Sequence, residues 1–330
     1  MSSSDADWRA RLAAYVHDQL PSASAVEIAR VAAMAEGASN DTVGIDLRVS
    51  CDGRTFELPL VLRPQRPDGI LAPYDVGRQF RVMRALGPTG VVVPAVAWHE
   101  PSGDVIGAPF FVMERVHGET EPLVVERPSP RVTAAARALA GIHALDWRAA
   151  GLGFLLPQGG AAADAQSPVA LELTSWRARA ERLRIGRAPL FVNLAAWLEA
   201  NQPSDARLAF LHGDPNPSNF LFRGDDVVAV LDWELAALGD PRSDLGFYSA
   251  LLTVFHGAAP AGGRTILSEA YEDVTGQALS ELAYFEALGL YKMAVVLAGW
   301  ARAGGGRNNG ASMDAIVRRL SALLGPRWAA

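Results

Sequence analysis

Hydrophobic residues alternate with polar ones in the first third of the chain, and this alternation predicts β-strands. From Val43 to Val49 every second position is apolar, a period of two. A turn at 51–54 and a continuous apolar run at 56–62 complete a predicted hairpin. The other predicted elements of this part are a helix at 74–86 and strands at 91–98 and 110–114. Together they indicate a small antiparallel sheet with one inserted helix.

After about residue 115 the apolar positions recur with the spacing of helices. Helices are predicted at 132–145, 171–185, 190–200, 244–255, 266–274, 280–300 and 313–324. The exception is a group of short strands at 208–211, 219–222 and 227–231, joined by turns rich in proline and glycine. We therefore predict an α+β protein with two lobes, a β-rich N-lobe at 1–115 and a mainly helical C-lobe at 116–330.

Composition excludes several classes of protein. The 330 residues are 50% hydrophobic and 20% charged, which is typical of folded domains rather than disordered chains. A net charge of −6 gives no support for a nucleic-acid-binding surface, and the single cysteine, Cys51, excludes an internal disulfide or a cysteine-built zinc site. The polar N-terminus and the short apolar runs lead us to expect a cytoplasmic protein that does not contact membranes.

The basic residues are distributed unusually. The chain has 29 arginines and one lysine, Lys292, which lies in a predicted helix of the C-lobe. Any chemistry that usually requires a lysine must therefore use Lys292, use an arginine or be absent.

The densest polar motif runs from His212 to Asn219. Two prolines within it exclude a helix, so it is a rigid loop that follows a strand. Asn219 opens the next predicted strand and Asp232 follows the return strand, so hairpin pairing brings them together near Asp214. One amide oxygen and two carboxylates form the oxygen-only site that Mg²⁺ prefers. A polar turn capped by its own side chains is the alternative.

These motifs resemble those of the aminoglycoside-phosphotransferase-like kinases. The resemblance rests on His212-Gly213-Asp214 with Asn219 five residues later, on Leu231–Glu234, and on Leu238–Leu245. It implies a protein-kinase-like fold and transfer of the γ-phosphoryl group of ATP or GTP to a hydroxyl group of a small molecule. It also implies that Asp214 orients the acceptor hydroxyl, that Asn219 and Asp232 hold Mg²⁺, and that His212, Asp240 and Asp244 support the loop.

The resemblance extends to the N-lobe with two departures. A loop that includes Ser39 and Asn40 is similar to the loop that covers the nucleotide phosphates. Arg63 occupies the position of the phosphate-pairing lysine, and Gln79 that of its glutamate partner. An Arg–Gln pair has one charge fewer than a Lys–Glu pair. Gln79 could also be an ordinary exposed helix position, and a pseudokinase that binds nucleotide without transfer is the alternative function.

The strand at 110–114 and the residues after it are similar to the hinge that binds adenine in these kinases. By that resemblance the carbonyl group of Glu114 and the N–H group of Val116 face the base, with Met113 behind it. An edge strand that ends at a cleft leaves such backbone groups available.

The charges of the C-lobe bear on the acceptor. Residues 280–330 contain three acidic and six basic residues, and 171–187 contain two acidic and five basic ones. A polycationic aminoglycoside needs an acidic pocket. We therefore expect a neutral or anionic acceptor, such as a natural product or antibiotic, a sugar or a hydroxyacyl thioester, and a protein that is a monomer or homodimer.

Overall fold

The computed structural model describes residues 3–34, 42–66, 75–124, 127–156, 167–257, 260–302, 309–325 and 328. It contains two compact units. The first comprises Met1–Pro88 and Val93–His117, and the second comprises Thr89–Val92 and Gly118–Ala330.

The first unit is built on a five-stranded antiparallel sheet with the order β1-β2-β3-β5-β4. Its elements are α1 (Ser3–Gln19), β1 (Ala25–Ala33), β2 (Val43–Cys51), β3 (Arg54–Pro64), α2 (Val76–Leu86), β4 (Val96–Glu100) and β5 (Phe110–Glu114). The alternating residues of β2 place Ile45 and Leu47 in the core, where both are fully buried beside Leu12 and Val16 of α1. Helix α1 was not among the predicted elements.

The predicted strand at 91–98 is wrong in its first half. Strand β4 begins only at Val96, and Thr89–Val92 belong to the second unit. The carbonyl group of Val92 accepts a hydrogen bond of 2.8 Å from the N–H group of Val230, a residue distant in sequence. Pro94 in addition has no N–H group to donate to a strand neighbour.

The second unit is mainly helical, and its described residues also form four short strands. Its helices are α3 (Pro130–Ala144), α4 (Pro168–Arg182), α5 (Pro189–Ala200), α6 (Arg242–His256), α7 (Ile266–Thr275), α8 (Leu282–Arg302) and α9 (Asn309–Leu324). Strand β6 (Ala209–Leu211) pairs with β9 (Ala237–Gly239), and β7 (Phe220–Arg223) pairs with β8 (Asp226–Val230). The seven predicted helices are all present, with ends that differ by a few residues. Strand β9 was not predicted.

Helices α6 and α8 pack closely because glycines face each other. A Cβ atom added to Gly246 would lie 2.2 Å from the carbonyl carbon of Phe285. One added to Gly289 would lie 2.5 Å from the carbonyl oxygen of Gly246. Helix α8 is long and apolar enough to span a membrane, but 83% of its most apolar window is buried inside the protein, as in a core helix.

Candidate active site

The loop that carries Asp214 has a fixed backbone in the second unit. It follows β6, includes Pro215 and Pro217, and ends in a short 3-10 turn at Pro217–Asn219. Gly213 has a φ of 90°, and a Cβ atom there would lie 2.2 Å from the carbonyl oxygen of Leu235. Only glycine fits this conformation and this close approach. The prolines and the glycine therefore hold Asp214 in one position.

Asp214 is half-buried and strongly hydrogen-bonded. Its Oδ1 atom accepts a 2.9 Å hydrogen bond from Nδ2 of Asn216, and its N–H group donates to Nδ1 of His212 at 3.2 Å. Burial raises the pKa of the Asp214 carboxyl group, and the negative charge of Asp232 acts in the same direction. Both effects make Asp214 a better proton acceptor than an exposed aspartate.

The β7–β8 hairpin brings Asn219 and the residues around Asp232 together, as its pairing predicts. Phe220 pairs with Val230, and the N–H group of Leu231 donates to the carbonyl oxygen of Asn219 at 2.8 Å. The side-chain Nδ2 of Asn219 donates to the carbonyl oxygen of Asp214 at 2.8 Å. The amide nitrogen is thereby engaged within the loop, and the amide oxygen is the atom of Asn219 that suits a cation.

Asp232 has a left-handed backbone, with φ 61° and ψ 59°. Few residues other than glycine adopt this region, and aspartate is among those that tolerate it. A non-glycine residue held there costs about 1–3 kcal/mol, and such residues cluster at functional sites. The backbone of Asp232 is therefore consistent with a functional position.

His212 connects the two halves of the site. Its ring is fully buried, lies against Phe220 and Trp233, and hydrogen-bonds through Nε2 to the carbonyl oxygen of Leu231 at 2.7 Å. Since a carbonyl group only accepts, Nε2 carries the proton and Nδ1 accepts from Asp214. His212 thus joins the Asp214 loop to the residue before Asp232 and supports both.

Asp244, in the first turn of α6, also stabilises this loop. Its carboxylate accepts hydrogen bonds of 2.9 Å from the N–H groups of His212 and Gly213 and from Nε2 of His143. Burial alone would raise the pKa of Asp244, but the hydrogen bonds and charge of His143, with the other donors, lower it below its usual value. Nδ1 of His143 is 3.0 Å from the hydroxyl group of Tyr271, which continues the buried network to α7.

Asp240 supports the start of α6. It accepts bonds from Nε of Arg242 at 2.9 Å and from the N–H group of Arg207 at 2.9 Å. Asp205 binds the same guanidinium group at 3.0 Å. Asp240 and Asp244 are both buried within this framework, which agrees with the supporting role expected for them.

The lone lysine is part of the core of the second unit. Nζ of Lys292 bonds to the carboxylate of Glu172 on α4 and, at 2.7 Å, to Oγ of Ser243 on α6. Both charged side chains are 3% exposed. The amine of Lys292 is therefore engaged in a buried ion pair.

In the first unit, Arg63 and Gln79 are both buried. Arg63 lies on β3 opposite Phe111 of β5 and is 9% exposed. Gln79 lies on α2 and is 3% exposed, so the alternative of an exposed helix position is wrong. Nothing in the sequence marks Gln79 as buried except its place beside the apolar stripe of α2.

The expectation that the hinge strand is an edge strand is wrong, because β5 pairs with β3 on one side and with β4 on the other. Met113 is buried between Val61 of β3 and Val96 of β4, whereas Glu114 is exposed and Val116 half-buried. Ser39 and Asn40 lie outside the described residues.

Sequence reasoning missed Arg115, the residue between Glu114 and Val116. Its guanidinium group forms an ion pair of 2.8 Å with Asp46 and donates to the carbonyl oxygens of Ile45 and Leu60, both at 2.9 Å. It therefore ties the end of β5 to β2 and β3. Only the pairing of those strands reveals this role, since Asp46 and Arg115 are far apart in sequence.

The side chains present fit a hard cation better than a transition metal. Within the described part of the chain, no group of three or more His, Cys, Asp or Glu side chains is placed to bind a metal ion. Mg²⁺ is usually bound by one or two protein carboxylates together with phosphate oxygens and water. Asp232 and the amide oxygen of Asn219 suit that chemistry.

The sequence model of the phosphotransferase enzyme family matches residues 30–285. The mouse (Mus musculus) protein acyl-CoA dehydrogenase family member 10 is 32% identical over 204 residues, which cover 59% of this chain and 18% of that protein. The chain thus spans about a fifth of that relative's length.

Solved structures of proteins named phosphotransferases share the fold. A proposed aminoglycoside phosphotransferase of Ralstonia eutropha superimposes with a TM-score of 0.64 at 24% identity, covering 97% of both chains. A ternary complex of aminoglycoside phosphotransferase APH(4)-Ia with ADP and hygromycin B gives a TM-score of 0.51 at 14% identity, covering 96% of this chain and 99% of that one. These likenesses confirm the expected α+β, protein-kinase-like fold. Together with the match over 30–285, they show that the chain belongs to the phosphotransferase enzyme family, whose members act on hydroxyl acceptors.

Proposed function

We propose that this protein transfers the γ-phosphoryl group of ATP to a hydroxyl group of a neutral or anionic small molecule. The observation that carries the proposal is the joint placement of Asp214, Asn219 and Asp232 by one loop and one hairpin. Phosphoryl transfer proceeds through a loose transition state that demands positioning and charge neutralisation more than covalent chemistry. A rigid loop with two carboxylates and an oriented amide supplies both.

Asp214 would bind the acceptor hydroxyl and take its proton late in the reaction. Its raised pKa strengthens it as a base, but a carboxylate is still far too weak to ionise an alcohol in the ground state. Proton transfer therefore follows the weakening of the bond between the γ-phosphorus and the leaving nucleoside diphosphate. The main contribution of Asp214 is to aim the acceptor oxygen at phosphorus.

Asn219 and Asp232 would hold Mg²⁺. Mg²⁺ held there would supply positive charge that neutralises the phosphate oxygens of the nucleotide. The amide nitrogen of Asn219 is engaged with Asp214, so its oxygen is the remaining ligand atom. His212 keeps Leu231, and hence the following Asp232, at a fixed position relative to Asp214.

The nucleotide would be bound by the first unit. Arg63 would pair with the phosphates, oriented by Gln79, while Glu114 and Val116 would bind the base and Met113 would pack behind it. Ser39 and Asn40 would cover the phosphates. The buried positions of Arg63 and Gln79 support this assignment over a surface role. A buried guanidinium group keeps its charge, and it can bind phosphate oxygens in pairs.

A pseudokinase is the weaker alternative. It rests on the replacement of lysine by Arg63 and of glutamate by Gln79. Asp214, Asn219 and Asp232 are all present, and the side chain of Asn219 is hydrogen-bonded to the Asp214 loop. The two replacements therefore concern nucleotide binding rather than the transfer step.

Among the expected acceptors, the observations favour a hydroxyacyl thioester. Several relatives that match over more than half of this chain are named acyl-CoA dehydrogenase family members. The segment similar to this chain therefore occurs in proteins whose names refer to acyl thioesters. The acidic residues of the second unit also support a non-cationic acceptor. Glu172 and Glu286 are buried in ion pairs with Lys292 and Arg319, so neither can bind a polycation.

The test is a transfer assay with Mg²⁺ and ATP against a panel of hydroxyacyl-CoA esters, sugars, macrolides and aminoglycosides. We expect a hydroxyacyl-CoA to gain the mass of one phosphoryl group, and Asp214→Asn to abolish that product while nucleotide still raises the melting temperature. Asn201→Ala, at an exposed helix end, serves as the matched control. Efficient phosphorylation of aminoglycosides would refute the charge argument, and nucleotide binding without any product would favour the pseudokinase.

A further inference from the structure

We propose that Asn216 is a positioning residue that selects which oxygen of Asp214 acts on the acceptor hydroxyl. The inference rests on the proposed function and deepens it. Asn216 is neither the predicted catalytic residue nor a predicted metal ligand, yet its side-chain Nδ2 donates to Oδ1 of Asp214 at 2.9 Å.

The amide of Asn216 has a determined orientation. Its Oδ1 atom accepts hydrogen bonds from the N–H group of Ser218 at 3.0 Å and from the hydroxyl group of the same residue. An amide oxygen only accepts, so these two donors identify it, and the opposite end of the amide must be the NH₂ group. That end faces Oδ1 of Asp214 and can only donate to it.

Asn216 cannot easily turn away from this contact. It is 8% exposed, it lies between Pro215 and Pro217, and it caps the 3-10 turn at Pro217–Asn219. The prolines fix the backbone φ on both sides. A polar side chain with few rotamers and both ends hydrogen-bonded is a rigid support.

The consequence is an asymmetric carboxylate. Oδ1 of Asp214 is engaged by Asn216, so Oδ2 is the oxygen that receives the acceptor proton. Without Asn216 the carboxylate loses this hydrogen bond and rotates more easily about its χ2 angle, and this rotation moves the basic oxygen away from its aligned position. Small misalignments of a reacting group are costly, since a displacement of about 1 Å can reduce the rate about 100-fold.

Two substitutions separate this positioning role from a purely structural one. Asn216→Ser keeps an oxygen that can accept from the N–H group of Ser218, and serine is as good a cap as asparagine, but its side chain is one bond shorter, does not reach Oδ1 of Asp214 and adds no charge beside it. Asn216→Ala removes both the cap and the donor. A residue that only supports the turn would tolerate the first change and suffer from the second.

The experiment measures steady-state phosphorylation of a hydroxyacyl-CoA with Mg²⁺ and ATP, together with thermal unfolding. For Asn216→Ser we expect a melting temperature within a few degrees of wild type, a KM for ATP within about twofold, and a kcat reduced by roughly 10- to 100-fold. Asn201→Ala, which alters an exposed asparagine, should change none of these. A kcat for Asn216→Ser within about twofold of wild type would overturn the proposal.

A crystal structure of Asn216→Ala supplies a second test that does not require the acceptor. We expect the carboxylate of Asp214 to rotate or to occupy two orientations. A carboxylate that stays in place would overturn the positioning role even in an active enzyme. If wild-type protein phosphorylates no hydroxyacyl-CoA while the carboxylate does rotate, the acceptor assignment fails and the role of Asn216 stands.

Discussion

Replacement of the lone lysine by methionine tests whether the protein depends on a buried ion pair. Lys292→Met keeps most of the side-chain volume and removes the positive charge that faces Glu172. Both partners are 3% exposed, and the ammonium group binds the carboxylate and Oγ of Ser243. The substitution therefore leaves a carboxylate buried without its counter-ion.

The expected loss is about 3–5 kcal/mol of the free energy of unfolding, the cost of removing one partner of a buried pair. With a urea dependence near the upper end of about 1–3 kcal/mol/M, the unfolding midpoint falls by roughly 1–2 M. The double variant Lys292→Met with Glu172→Met should recover most of the loss, because a buried pair can often be replaced by apolar residues at little cost.

The stability loss caused by Lys292→Met should depend on pH. Burial raises the pKa of Glu172, and the charge and hydrogen bond of Lys292 oppose that rise. A carboxyl group whose pKa is raised in the folded state favours folding at low pH and loses that contribution as pH rises through the folded pKa. Without Lys292 the rise is larger, so the deficit of the variant should be greater at pH 7.5 than at pH 5.

Urea unfolding followed by circular dichroism at both pH values measures these quantities. Arg264→Met is the matched control, since Arg264 pairs with Glu272 but is 43% exposed, and its loss should cost less than about 1 kcal/mol. A deficit for Lys292→Met as small as that of the control would refute the reasoning. So would a deficit that does not change between the two pH values.

Three further substitutions test the site. Gly213→Ala should lower the melting temperature and transfer together, because φ is 90° and the new Cβ would lie 2.2 Å from the carbonyl oxygen of Leu235; a soluble variant with wild-type kinetics would contradict this. Asp232→Ala should abolish the Mg²⁺-dependent part of nucleotide affinity in calorimetry; unchanged Mg²⁺ dependence would remove Asp232 from the metal site. His143→Ala should cost about 1–3 kcal/mol in urea unfolding, because it removes a donor to the buried carboxylate of Asp244; a neutral result would show that water replaces it.

The general form of the site could be predicted from the sequence because local rules govern it. Two prolines and a glycine define the loop around Asp214, and the turn between two short apolar runs defines the hairpin. Antiparallel pairing then requires Asn219 and the residue before Asp232 to be neighbours, as their 2.8 Å backbone bond shows. The helices of the second unit follow likewise from periodic apolar residues.

The residues that support the site could not be predicted from the family motif alone. The contact from Asn216 to Asp214 depends on which way an amide turns, and Ser218 decides that. Arg115 meets Asp46 only because β5 and β2 flank β3 in the sheet. Such partners are separated by many residues or by a side-chain torsion, and no periodic pattern encodes either.

The sequence alone shows that the single lysine lies in a helix of the C-lobe, which leaves an arginine, Arg63, at the position of the phosphate-pairing lysine. It also predicts the loop and the hairpin, because the backbone conformation there depends mainly on neighbouring residues. The role of Lys292 follows instead from contacts that form only when the chain folds. It neutralises Glu172 where α4, α6 and α8 meet, since a charge that leaves water must find its partner among residues that folding brings together.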